Sequence, residues 1–100
     1  MSDSPLAEAD GLEAEVALAA QVLESDRKIR RGIMTFLYKS RRDEGPLGVG
    51  DYALEQKVGI PVDQLQFHLW YITSKEWIFR NEEGRLAITV AGIDYLDETA

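Results

Sequence analysis

The stretch from Gly59 to Gly92, GIPVDQLQFHLWYITSKEWIFRNEEGRLAITVAG, constrains the fold of this chain more than any other. Its first part has the period of a helix. From Pro61 to Ser74 the apolar residues Val62, Leu65, Leu69 and Ile72 recur at steps of three and four, which puts them on one face. Its second part has the composition of strands. Trp77-Ile78-Phe79-Arg80 and Arg85-Leu86-Ala87-Ile88 are short runs of aromatic and β-branched residues. Asn81-Glu82-Glu83-Gly84 between them reads as a hairpin loop, with Gly84 at a position that needs a positive φ. Thr89 then stands where a helix N-cap belongs, ahead of Val90, Ile93 and Leu96. Helix, ribbon, helix is the second half of a winged helix.

The first half is read outward from there. Leu12, Val16, Ala19 and Leu23 form one narrow apolar stripe on an acidic, Ala-rich helix over residues 6–24. Such a stripe must pack on its own domain or on the same helix of a second subunit. Ser25-Asp26 offers N-caps for a separate helix over 27–41, with Ile29, Ile33, Phe36 and Leu37 as its buried face. Leu47-Gly48-Val49 is long enough only for a small third strand. Asp51 is expected to cap a short helix through Lys57 that buries Ala53, Leu54 and Val58, and Gly59 to supply the C′ turn. Pro61 opens the next helix at a position where a missing N–H costs nothing. The fold class expected is α+β, mainly α: a winged helix-turn-helix with a three-helix core, a small antiparallel β-wing, a C-terminal helix and an extra N-terminal helix. The division expected is an acidic arm over 1–25 that mediates dimerisation and a winged-helix domain over 26–98.

Charge refines this picture. The net charge of −7 lies almost wholly in residues 1–26, which hold seven acids and no Lys or Arg. Residues 27–100 balance eleven acids against all eleven bases. Setting aside Asp94, Asp97 and Glu98 leaves three more bases than acids in 27–93, enough to permit phosphate contact. No apolar run approaches the roughly 18 to 20 residues that a membrane span requires. The acidic, polar start resembles no secretory signal, and the absence of cysteine fits a cytoplasmic chain.

Several residues then look familiar. Phe67-His68-Leu69, followed by Ile72 and Trp77-Ile78, resembles the "HL..L...G.I" stretch of bacterial winged-helix regulators of the ArsR and PadR types. Arg85 to Gly92 resembles the "(L/I)T..G" join between wing and last helix in MarR and PadR relatives. Glu76 departs from the pattern, since relatives usually carry Gly there. The resemblance implies a transcriptional regulator that binds double-stranded DNA through the helix over 61–74 and the wing. Carried over by position, Gln64 and Gln66 would read bases, while Lys28, Arg31, Arg41, Arg42, Arg80 and Arg85 would hold phosphates. Phe67, Trp70 and Tyr71 fit that role poorly. They suggest the alternative, a winged helix that has given up DNA and binds a protein through an aromatic patch. A different packing would leave only Phe67 exposed. A third arrangement folds the acidic arm over the basic residues as a DNA mimic.

Nothing in the sequence suggests an enzyme. The single histidine, His68, sits beside Leu65 and Leu69 and reads as a core residue, with no partners at metal-ligand spacing. No serine lies in a nucleophile context, and no cofactor is implied. Gly45, Gly48 and Gly50 lack the order of a phosphate-binding loop.

Overall fold

A computed structural model describes the backbone of residues 3–100 and the side chains from Gly11 onward. It is mainly helical, with four helices and a two-stranded antiparallel sheet. The order is α1 (Asp3–Glu44), α2 (Asp51–Val58), α3 (Val62–Ser74), β1 (Ile78–Arg80), β2 (Leu86–Ile88) and α4 (Val90–Glu98).

The arm and the next helix are one element. No break occurs at Ser25-Asp26, where capping residues suggest one: the chain from Glu13 to Arg31 contains neither Pro nor Gly. Helix propagation is easier than starting a new nucleus, so local caps are overridden. Forty-two residues at 1.5 Å each give about 63 Å, matching the 66 Å long axis of the molecule. The radius of gyration is 17.9 Å, against about 13 Å for a compact chain of this length. The excess comes from the first half of α1, whose side chains from Gly11 to Ser25 are all exposed. The arm therefore projects, and it does not fold back over the basic residues.

The core gathers where the second half of α1 crosses the remaining elements. Ile33, Met34 and Leu37 of α1 pack with Leu54 of α2, with Leu65, Leu69 and Ile72 of α3, and with Ile78, Leu86 and Ile88 of the ribbon. Leu65, Leu69 and Ile72 are buried as their spacing requires, whereas Val62, the first residue of α3, is 52% exposed. Ala53 is exposed as well, leaving Leu54 as the buried residue of α2.

The turns follow their residues closely. Gly59 ends α2 at φ 73° and donates to the Glu55 carbonyl. Gly84 closes the hairpin at φ 77°, where β1 and β2 pair with Ile78 opposite Ile88. Val49 joins the ribbon through a single bridge to Leu86, the remnant of the expected third strand. Thr89 caps α4 by accepting from the Gly92 N–H at 3.0 Å. Glu76 adopts φ 62°, a left-handed conformation that costs a side-chain-bearing residue about 1 to 2 kcal/mol. This explains why glycine suits that turn.

Asp51 does not cap α2. Gly50 occupies the cap position without a side-chain bond, and Asp51 turns instead to Arg80 of β1.

Candidate nucleic-acid or protein interface

The outer face of α3 is defined by what the core leaves out. With Leu65, His68, Leu69 and Ile72 turned inward, the helical period turns Asp63, Gln66, Phe67, Trp70 and Thr73 outward. Phe67 is 49% exposed and Trp70 is 62% exposed, with their rings 5.8 Å apart. Aromatic rings at that separation attract one another and form one apolar step on the surface. Trp70 thus does not lie under a neighbouring element. Tyr71 does: it is half-buried, with the Arg30 guanidinium 4.1 Å above its ring and Trp77 against its edge. Trp77 in turn stacks on Tyr95 of α4 at 3.9 Å. Arg30 is itself buried, and a desolvated cation–π contact of this kind contributes about 2 kcal/mol. Tyr71 belongs to the body rather than to the exposed patch.

The residues expected to hold phosphates do not converge. Arg80 makes a bidentate contact to Asp51, at 2.7 and 3.3 Å, and donates to the Gly84 carbonyl at 2.7 Å. The Asp51 hydrogen bond also raises the Arg80 pKa further. This guanidinium staples the β1–β2 hairpin to α2 and is spent there. Arg31 donates to the Thr99 hydroxyl at the end of α4, and Lys28 lies beside it on the same side of α1. Arg41 and Arg42 are at the far end of α1, bordering a groove with Phe79, Val90 and Ile93. Arg85 lies exposed at the loop end of the hairpin, just before β2. Gln64 and Gln66 are exposed on α3, with Gln64 at the rim of the groove against α1. From Pro61 to Ser74 the sequence carries no Lys or Arg at all.

Beside the aromatic step runs a groove of about 560 Å³ between α1 and the start of α3, lined by Val22, Asp26, Ile29, Phe67 and His68 among others. His68 is 2% exposed, with Nε2 3.7 Å from Asp26 and Nδ1 without a hydrogen-bond partner. Burial pushes its pKa below the ordinary 6.5, Asp26 opposes that shift, and Arg30 adds to it. The ring is neutral near pH 7. Unfolding restores the ordinary value, so the unfolded chain binds the extra proton first as pH falls. Stability is therefore expected to hold above pH 6.5 and to decline below it through the lowered folded value. The check is the urea midpoint across that window for the native chain and for His68→Leu. The variant should lack this part of the decline, and an equal decline in both would contradict the assignment.

The sequence does not reveal the continuity between this groove and the arm. Leu12, Val16, Leu18, Val22 and Leu23 are all 47 to 62% exposed, and Val22 leads directly into the groove. Only the 4-3-4 stripe is legible beforehand; Val22 flanks it, whereas Leu18 lies on a different face, more than 100° from its centre around the helix. Among the described residues no cluster of three potential metal ligands occurs, and no helix is long and apolar enough to cross a membrane. No protein-family model matches the chain, and comparison with curated proteins and with solved structures gives no match.

Proposed function

We propose that the chain is a winged helix-turn-helix domain used as a protein-interaction module. In this reading α2 and α3 are the helix-turn-helix, β1 and β2 the wing, and α4 the closing helix. The outer face of α3, together with the projecting part of α1, receives a protein partner. The observation that carries the reading is the exposed Phe67–Trp70 step on a helix without a single cation. Duplex DNA presents about one negative charge per 1.7 Å, and its affinity for proteins comes largely from Lys and Arg replacing counterions. A recognition helix bearing Asp63, Phe67 and Trp70 supplies no such replacement. Aromatic residues in that position are instead what protein interfaces concentrate at their centres. The chain has no catalytic step in this reading.

A second reading, a DNA-binding regulator, draws on one observation. Arg41, Arg42 and Arg85 make no ion pair among the described residues. They would contact the backbone while Gln64 and Gln66 reach base edges. Titration of random duplex DNA separates the two readings. The interaction module leaves DNA free even at low salt. A complex whose affinity collapses as salt rises would overturn it.

A further inference from the structure

Another pocket, of about 370 Å³, opens where α1 meets Tyr71 of α3, Trp77 and the last turns of α4. Arg27, Lys28, Arg30 and Arg31 line it along one stretch of α1, and the rings of Tyr71, Trp77 and Tyr95 wall it. No acid lines it. Lys75 adds a fifth cation, its Nζ 5.9 Å from the Tyr71 ring and 5.7 Å from that of Trp77. Exposed cations are solvated and need no partner. Arg30 is different. It is only 7% exposed, yet it makes no ion pair and no side-chain hydrogen bond among the described residues. The Tyr71 ring answers its charge from one side, at 4.1 Å, but offers no oxygen to its five N–H donors. None of its nitrogens is sealed from solvent, so the pocket reaches the guanidinium. The carboxylates just before it in α1 are turned elsewhere: Glu24 pairs with Arg27 at 3.7 Å, and Asp26 faces His68. A buried cation calls for an anion, because only an anion or hydrogen bonds make good its lost water.

We infer that this pocket binds the dianion of a phosphate monoester, with the Arg30 guanidinium as its anchor. A guanidinium fork can meet two phosphate oxygens at once, which an ammonium cannot do. Arg27, Lys28 and Arg31 lie within one turn of Arg30 and supply further positive charge. Arg31 is held in place by its hydrogen bond to the Thr99 hydroxyl, which itself donates to the Tyr95 carbonyl. A monoester carries about −1.5 to −2 charges near pH 7, so it balances a cluster that a single carboxylate would leave in excess. Phosphate alone is too small to fill the space, and the Tyr71 and Trp77 rings give the organic part of the ester an apolar wall. The backbone of duplex DNA suits the pocket less well. Its diesters carry one charge each and continue on both sides, whereas a monoester ends in its phosphate and enters end-on. Of the six cations expected to contact DNA, only Lys28 and Arg31 line this pocket. The site does not depend on what meets α3, because neither Phe67 nor Trp70 lines it.

Calorimetric titration of the full chain with phenyl phosphate, in a buffer free of phosphate, tests the site. Sub-millimolar binding is expected, with inorganic phosphate weaker and benzoate weaker by about tenfold or more. Arg30→Lys keeps the charge and loses the fork, and should weaken phenyl phosphate by about tenfold or more. Arg30 is buried, so a second variant uses exposed positions. Arg27→Ala with Lys28→Ala should weaken binding about threefold or more, with thermal unfolding unchanged. In a chain carrying Trp70→Phe, Trp77 is the only tryptophan, and its emission should change over the same range of phenyl phosphate. No binding at millimolar concentration would overturn the site, as would binding that survives both variants or leaves Trp77 emission unmoved. Benzoate held as tightly as phenyl phosphate would overturn the phosphate, and inorganic phosphate held as tightly would overturn the ester. Duplex DNA that competes with phenyl phosphate would make the pocket a backbone site and overturn the monoester.

Discussion

Gly92→Ala is expected to cost about 3 kcal/mol or more, the upper end of what overpacking a core costs. A methyl group on Gly92 would overlap the Trp77 carbonyl oxygen and come within 2.8 Å of Ile88 Cγ1 and Met34 Cε. The Met34 methyl ends a flexible side chain, but the backbone oxygen cannot step aside. The Trp77 carbonyl already accepts the Thr89 N–H at 2.9 Å. Met34 is fully buried and Ile88 nearly so. The close approach of α4 to the ribbon depends on this one glycine, and the Thr89 cap donor is Gly92 itself. A domain of this size holds only about 5 to 15 kcal/mol in total, so the variant should melt far below the native chain or fail to fold. Urea unfolding followed by far-ultraviolet circular dichroism reads the effect. A loss below about 1 kcal/mol would mean that α4 stands farther from β1 and β2 than the Gly92–Trp77 approach requires.

Ile72→Ala and Trp70→Ala should separate sharply, although the second removes far more atoms. Ile72 is fully buried in the centre of the core. Truncating it removes buried methyl groups and leaves a cavity, a loss of about 2 to 5 kcal/mol. Trp70 lies one turn-half away and is 62% exposed, with Phe67 as its aromatic neighbour. Its loss should change stability by no more than about 0.5 kcal/mol, as for surface positions generally. Equilibrium unfolding of both variants gives the comparison. A large loss for Trp70→Ala would place its ring in the core and remove the basis for an aromatic docking face.

The parts of the fold that the sequence makes legible are those decided by local chemistry. Gly59 and Gly84 occupy positive φ because their turns require it, and Thr89 caps α4 because its hydroxyl reaches the Gly92 N–H. The alternation of Leu65, Leu69 and Ile72 gives the buried face of α3 directly. What escapes sequence reasoning is the choice between competing local options. Ser25-Asp26 can cap a helix, yet a helix already in progress passes through it. Asp51 can cap α2, yet Arg80, twenty-nine residues later, captures it. The same capture removes Arg80 from the cations free to meet a phosphate. Tyr71 shares the aromatic run with Trp70, and only the placement of Arg30 over its ring takes it into the body. The exposed step on α3 was half legible: the period gives its direction, while its free surface depends on where α1 leaves the body.

The central claim is that the outer face of α3 meets protein rather than nucleic acid, and the most direct measurement is an equilibrium titration of labelled random duplex DNA at low ionic strength. It should be made with the full chain and with a triple variant, Arg41→Ala, Arg42→Ala and Arg85→Ala. The expected result is a flat anisotropy for both. A sub-micromolar complex with the full chain would contradict the claim. The contradiction would be complete if the variant bound more weakly, with the logarithmic salt dependence shallower by about 0.9 for each cation removed.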